Sequence, residues 1–556
     1  MKRREFIKKT SKATGALVLS PLLFSCQNRN IDYLFTGGFV VDGTGAKSVI
    51  ADVAIRGDKI VGIGKFEAKD VRNVIDIKGK MITPGFIDIH SHTDVKLLVN
   101  PFAESKITQG VTTEMYGMDG DSVAPLTEEM RLSWNENIPE HYNFKVTWQN
   151  IPEYFDILKR NKHAVNFGTM IGQGTLRDYV IGESDRAATK DDIKKMQQLL
   201  ETAVDNGAWG ISGGLEYTPG SFATTEEIIE VASVLKGTNF PYVTHMRSES
   251  DKLIEAVEES IKIANGAGIP LHISHLKVEG KRNWFKADLL FETIEKAQQE
   301  GLRVTFDRYP YIAYNTGLSN LFPIWAREGG TEKFLERLND KNQLSEIEKY
   351  TRDKVAMLGS WDSCLISSIR SKENERLQGK RLPEIAEIWK CDPFVAAVRL
   401  IKEEKARVSM VGFGMTEENT MRILAHPNAV IASDGSALEM QGPLAKGNPH
   451  PRNFGTFPRA IAHYVHKQKI VSLTEMIKKM TSKPAEIAGF KNRGKIAENY
   501  FADLVIFNPK TIQDLATFEN PKQYCQGIFH LFVNGKPVIS NGKKDNNLPG
   551  MILKST

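Results

Sequence analysis

Apolar residues along this chain fall into two patterns. Between about residues 86 and 433, eight short apolar runs recur, at 86–90, 112–117, 164–170, 209–212, 242–245, 271–275, 304–307 and 429–433. Each has the length of a buried strand and is bounded by Gly, Pro or polar residues. Between them lie stretches with apolar positions at helical spacing, at 190–206, 226–235, 250–265 and 287–299. Strands and helices alternating along this stretch predict an α/β fold, a parallel (β/α)8 TIM-like barrel. The interval from 307 to 429 is too long for one such unit. It holds a charged helical segment at 332–352, and we read about 320–410 as an insertion before the last barrel strand, capping the barrel mouth.

The two ends of the chain alternate differently. Strand-like pieces at 33–36, 39–41, 53–56, 59–64 and 74–76 are separated by Gly37-Gly38, Asp42-Gly43 and Gly57-Asp58. Similar pieces at 503–507, 528–533 and 537–540 follow near the C-terminus, the last two joined by the hairpin dipeptide Asn534-Gly535. Both sets are expected to pair into one small β-sandwich or β-barrel subdomain over 26–82 plus 490–556. That leaves 83–489 for the barrel.

Composition adds two points. Apolar residues make up 41% and charged residues 25%, as in a soluble globular protein. The net charge of +5 comes from the first 25 residues, where Lys2, Arg3, Arg4, Lys8, Lys9 and Lys12 outnumber Glu5. A folded body near neutrality argues against a nucleic-acid partner. Arg3-Arg4 ahead of the apolar stretch 16–24 forms a twin-arginine signal, too short to span a membrane. Leu23-Phe24-Ser25-Cys26 has the form of a lipobox, so 1–25 is expected to be a lipoprotein signal peptide and Cys26 a lipid anchor, the only membrane contact. The protein is expected to be exported, periplasmic or membrane-anchored. The other cysteines, Cys364, Cys391 and Cys525, are an odd number without a close pair and suggest no disulfide framework.

The chemistry collects at the strand ends, where barrels of this kind carry their working residues. The first strand ends in His90-Ser91-His92, whose imidazoles at i and i+2 share a face. The second leads to Asp119, the fifth ends in His245, the sixth in His275 and Lys277, the seventh in Asp307 to Tyr311, and the eighth in Asp434. His245 and His275 are 30 residues apart, about one βα unit, so they converge as neighbours. Any one of these residues alone has a structural explanation, such as a satisfied core histidine or a helix cap. Together, His90, His92, Asp119, His245, His275 and Asp434 make a site for one or two divalent ions, Zn²⁺ foremost. Such an ion polarises a carbonyl and brings a water towards a pKa near ~7. Asp434 is then the expected general base. Glu114 is the fallback ligand should Asp119 be out of register.

These residues carry a resemblance to the amidohydrolase superfamily, and within it to the D-aminoacylase / N-acyl-D-amino-acid deacylase family. The matching motifs are 84–92, Gly110-Val111-Thr112-Thr113, Gly213-Gly214-Leu215-Glu216-Tyr217, Thr244-His245-Met246-Arg247, Ser274-His275-Leu276-Lys277, Tyr309-Pro310-Tyr311, Ser433-Asp434-Gly435 and His450-Pro451-Arg452. The resemblance spans the chain from about residue 31 onward, outside 320–410. It implies hydrolysis of an N-acyl-D-amino acid to a carboxylate and a free D-amino acid. It implies a tight zinc on His245, His275 and a bridging residue, a weaker second position at His90, His92 and Asp434, and a grip on the substrate carboxylate by Lys277, Tyr309 and Arg452. Two positions depart from the pattern. Asp119 stands where members commonly have cysteine, and this hard oxygen donor opens the site to Mn²⁺ or Fe²⁺. Asn315 stands where serine is frequent. Another amidohydrolase reaction, on a cyclic amide as in dihydropyrimidinases and hydantoinases or on a dipeptide, is the alternative.

Overall fold

A computed structural model of the chain describes residues 30–67, 69 and 71–555; the expected signal peptide and Cys26 lie outside the described residues. Eight parallel strands form the centre: β1 (Phe86–Asp88), β2 (Val111–Tyr116), β3 (Asn166–Thr169), β4 (Ile211–Gly214), β5 (Tyr242–His245), β6 (Leu271–Ile273), β7 (Val304–Arg308) and β8 (Ala429–Ile431). All eight coincide with the apolar runs of the sequence. β1 to β3 pair in order, as do β4 to β8. A short continuation of β3, Ile171–Gly172, pairs with β4 and joins the two arcs. The ring closes beyond the last strand, where the Asp434 N–H donates to His90 O at 2.9 Å and the His92 N–H to Gly435 O at 3.0 Å. Ile87, Met115, Val243 and Val430 fill the interior, while Phe86, Val111, Leu271 and Val304 face the outer helices. Burial of both faces explains why the strands read as unbroken apolar runs.

The outer helices follow from local signals. Lys190–Asp205 starts at a capping box between Thr189 and Asp192 and buries Met196, Leu200 and Ala203 along one stripe. Leu253–Ala267 buries Leu253, Ala256, Val257, Ser260, Ile263, Ala264 and Ala267 and stops at Gly268, whose φ of +70° suits glycine.

Closure of the ring is stapled by a buried cation. Lys106, on the short helix Glu104–Ile107, places Nζ 2.7 Å from Asp88, 3.1 Å from Glu114, 2.8 Å from Ser433 Oγ and 3.0 Å from Gly435 O. Glu114 also accepts from the hydroxyls of Ser91, Thr93 and Tyr116. Glu114 is therefore a structural anchor turned away from the metal candidates, and its fallback role as a ligand is withdrawn.

Strands from both chain ends form one continuous sheet of nine among the described residues, in the path order Lys543–Lys544, Lys536–Ser540, Ile528–Val533, Leu504–Phe507, Met81–Pro84, Ile31–Val40, Val49–Arg56, Lys59–Gly64. Val71–Asp76 pairs with Ile31–Val40 off this path. The sequence reading broke the first strand at Gly37-Gly38. The structure runs it unbroken, with a register shift between Phe35 and Gly38, so the glycines make a bulge instead of a turn. The C-terminal end also leaves this unit. Leu553 N–H donates to Phe167 O and Trp209 Nε1 to Leu553 O, which ties the tail to β3 and the start of β4.

The insertion starts earlier than expected. Its antiparallel strands Tyr314–Gly317, Cys364–Ser368 and Ser409–Gly412 form a separate sheet with Ser409–Gly412 in the middle. It has its own core, with Leu318, Phe322, Phe334, Leu358, Phe394 and Met410. The charged segment at 332–352 is two helices, Gly330–Arg337 and Lys341–Leu358. Asp340 divides them by capping the second through the N–H groups of Asn342 and Gln343. Among the described residues no helix is long and apolar enough to cross a membrane, and Cys364, Cys391 and Cys525 are free thiols.

Candidate metal centre

The strand ends carry the six proposed ligands into two adjoining groups. His90, His92, Asp119 and Asp434 form one; Asp119, His245 and His275 form the other. Nε2 of His92 lies 3.1 Å from Asp434 Oδ1 and 3.4 Å from Asp119 Oδ2. Nε2 of His90 lies 3.4 Å from Asp119 Oδ1 and 3.6 Å from Asp434 Oδ1. In the second group, His275 Nε2 is 3.4 Å from Asp119 Oδ2 and 2.9 Å from His245 Nδ1. Asp119 is common to both groups, with one oxygen towards His90 and the other towards His92, His245 and His275.

The backbone is bent to achieve this. Asp119, His275 and Asp434 have φ of +55°, +35° and +48°, a region that non-glycine residues rarely occupy. At Gly120 an added Cβ would meet Gly214 N at 2.6 Å, so only glycine lets the loop after β2 lie against the end of β4.

A second layer orients the imidazoles. Asp307, at the end of β7, takes Nδ1 of His90 at 3.1 Å and Nε2 of His272 at 3.2 Å, and its other oxygen accepts the His275 N–H at 2.9 Å. Burial raises the Asp307 carboxyl, but His90 and His272 outweigh it and hold it far below the usual range. With Nδ1–H committed to Asp307, His90 presents Nε2 to the site. Nδ1 of His275 lies 3.0 Å from Glu249 and 2.8 Å from Lys277 Nζ, so this pair holds the ring with Nε2 towards the site. Glu216 lies 3.3 Å from Nε2 of His245, leaving Nδ1 to face the site. Asp307 stands at a strand end and Glu216 in a matching motif, but the sequence assigns neither of them, nor His272 or Glu249, to orienting the imidazoles; for Glu249 the His245-x-x-x-Glu249 spacing is the local signal.

Two atoms test whether this set suits a divalent ion. His90 Nε2 and Asp119 Oδ1 are buried without a hydrogen-bond partner, although they face each other at 3.4 Å. Such atoms are costly to bury unless something binds them. Imidazole nitrogens and carboxylate oxygens converging on one point are the donors that Zn²⁺ and similar ions take. The residues fit the group.

The cavity over this cluster holds about 400 Å³ and is lined by both the barrel and the insertion. Lys277 and Arg452 border it. Lys277 Nζ is 2.6 Å from each Glu249 oxygen, and Arg452 Nη1 is 2.7 Å from Asp434 Oδ2. Neither cation stands free, which the sequence did not foretell. Arg452 lies over the Tyr309 ring at 4.9 Å, and both Arg452 Nε and Tyr309 Oη are buried without a partner. His450 receives the Arg452 N–H on Nδ1 at 3.0 Å and places Nε2 2.9 Å from Ala313 O, fixing the turn that carries Arg452. Asn315 lines the same cavity from the insertion.

Comparison with known proteins matches this architecture. The amidohydrolase family model matches residues 73–309 and 398–539. D-aminoacylase of Alcaligenes xylosoxydans xylosoxydans is 33% identical over 529 residues, covering 94% of this chain and 98% of its own. The crystal structure of N-acyl-D-glutamate deacylase from Bordetella bronchiseptica, complexed with zinc and a phosphonate inhibitor that mimics the reaction's tetrahedral intermediate, superposes with a TM-score of 0.80 at 29% identity. That match covers 95% of this chain and all of the other. A D-aminoacylase studied for its binuclear metal centre gives a TM-score of 0.79 at 34% identity over 94% of this chain and all of its own. The chain belongs to the amidohydrolase family, among the D-aminoacylases and N-acyl-D-amino-acid deacylases.

Proposed function

We propose that this protein hydrolyses the amide bond of N-acyl-D-amino acids, releasing a carboxylate and a free D-amino acid. The reaction class rests on the family and on the six converging ligands. The substrate class rests above all on one observation. Arg452 borders the cavity beside Asp434 and keeps Nε buried without a partner, and a carboxylate is the group that would satisfy it.

One or two divalent ions, Zn²⁺ first among them, would be held by His90, His92, Asp119 and Asp434 and by Asp119, His245 and His275. When bound, they supply Lewis acidity towards the amide carbonyl and the attacking water. The chain supplies the rest. Arg452, Tyr309 and Lys277 hold the α-carboxylate and so set the direction in which the amide enters. Glu249 keeps Lys277 charged and in place. Asp434 takes the proton of the attacking water and returns it to the leaving nitrogen, and Arg452 on its other oxygen keeps it ionised. The insertion, through Asn315 and its neighbours, lines one side of the cavity.

The deciding experiment is a substrate panel with the metal-reconstituted enzyme: N-acetyl-D- and N-acetyl-L-amino acids of apolar, acidic and basic side chain, with hydantoin and dihydrouracil as cyclic amides. Amine release confined to the D-series supports the reading, and ring opening without amine release overturns it. We also propose that the protein is exported and lipid-anchored at Cys26, a reading carried by the twin-arginine and lipobox residues. Metabolic labelling with palmitate that persists in Cys26→Ser would overturn it.

A further inference from the structure

Each imidazole of the second ligand group has two nitrogens, and what holds the outward one decides how the inward one points. For His275 the holder is Glu249. It belongs to the barrel and is locked by Lys277, at 2.6 Å from both oxygens. For His245 the holder is Glu216, and its support comes from elsewhere. Asn320 Nδ2 lies 3.5 Å from Glu216 Oε2, and Arg327 Nη2 donates to Glu216 O at 3.2 Å. Lys354 Nζ lies 3.7 Å from Glu216 Oε1 and 3.6 Å from Glu279 Oε2. All three supporting residues belong to the insertion. Lys354 is on its helix Lys341–Leu358, with a side chain only 10% exposed.

Glu216, His245 and Glu249 by themselves resemble a third cation site, since their donor atoms cluster within 4.8 Å. The charge balance speaks against it. Glu249 is already neutralised by Lys277, and Lys354 stands between Glu216 and Glu279. The positive charge a metal would bring is present as two ammonium groups. These carboxylates are therefore supports for the ligands.

We propose that Lys354 is a positioning residue for the metal centre: from the insertion, it holds Glu216 where that carboxylate accepts the Nε2–H of His245 and turns Nδ1 towards the site. The insertion is then part of the metal-binding apparatus as well as a cover. This rests on the metal-centre reading above. The ion pairs of Lys354 run to Glu216 and Glu279 and not to the candidate ligands, so its effect passes through Glu216 to the His245 tautomer and ring angle.

The test is zinc affinity by chelator competition on the full-length protein, with circular dichroism as a check of fold. Lys354→Met should weaken binding about 10- to 100-fold, the range for loss of a ligand's support. Lys354→Arg should restore most of it. Glu216→Ala should lose a similar factor, and the double variant should lose no more than Glu216→Ala alone, because both act on one imidazole. Zinc affinity within twofold of wild type in Lys354→Met, or losses that multiply in the double variant, overturns the proposal. A residue that only seats a lid would shift KM and leave zinc affinity untouched. Should Lys354→Met not fold, Glu216→Ala carries the test alone: unchanged zinc affinity there refutes the route through His245. If wild type itself binds no zinc, it is the metal-centre reading that fails.

Discussion

Asp307 Oδ2 lies 3.1 Å from Nδ1 of His90, both fully buried. One carboxylate thereby fixes a candidate ligand just beyond β1 from the end of β7, and its other oxygen pins the His275 backbone at 2.9 Å. Asp307→Ala should lower metal affinity about 10- to 100-fold at either position. Metal content after dialysis against graded chelator is the measurement, and a fully loaded variant would rule the role out.

Asp119 is the shared member of both candidate ligand groups. A thiolate is a softer donor than a carboxylate. Asp119→Cys should raise the ratio of bound Zn²⁺ to Mn²⁺ when the apoprotein is reconstituted from an equimolar mixture. Elemental analysis reads the ratio, and an unchanged value would mean that Asp119 does not set metal choice.

Asp434 is assigned the proton transfer. Asp434→Asn keeps the shape but cannot take a proton, and kcat should fall by roughly 10²–10⁴. Metal content is measured alongside, because Asp434 also belongs to the first ligand group. Wild-type turnover in a metal-loaded Asn variant removes Asp434 from the role of base.

Lys106 staples the barrel seam. Lys106→Met leaves Asp88 and Glu114 buried without their cation, and breaking such a pair costs about 3–5 kcal/mol. The urea midpoint should fall accordingly. A midpoint within error of wild type would show that the seam is held by its backbone hydrogen bonds alone.

His163 precedes β3, far from the metal candidates in sequence, and lies beside Pro549 of the C-terminal tail. Burial pushes its pKa down to about 4, against the bond from Nδ1 to Val165 O at 2.6 Å. Between about 4 and the usual 6.5 the unfolded chain carries a proton that the folded chain does not. Stability is therefore lost as pH falls through that window, by about 3 kcal/mol in all, with no further loss below it. His163→Gln should reduce the drop in urea midpoint between pH 7 and pH 4.5. An identical drop in both proteins would exclude His163 as a contributor.

What was legible in the sequence and what was not divides along physical lines. The eight barrel strands were readable because both their faces are buried, so each appears as an apolar run in one local window. That the six candidate ligands gather was readable because a barrel places its strand ends at one rim, so marking strand ends marks a shared location. Features that hang on one specific partner outside the local window were not readable. Gly37-Gly38 has the composition of a turn, and only pairing with Val49–Arg56 makes it a bulge. Lys277 and Arg452 look like free cations until folding brings Glu249 and Asp434 against them.

The sequence by itself determined the fold class, the donor residues that gather at the barrel rim and the chemistry such donors suit, because hydrophobic period and donor type are properties of the residues themselves. Only the tertiary structure decided which oxygen of Asp119 faces which histidine, which carboxylate orients each imidazole, and that Lys354 reaches Glu216 from the insertion. Those are distances between side chains from 26 to 217 residues apart, on different βα units or on the insertion, and no local pattern encodes them.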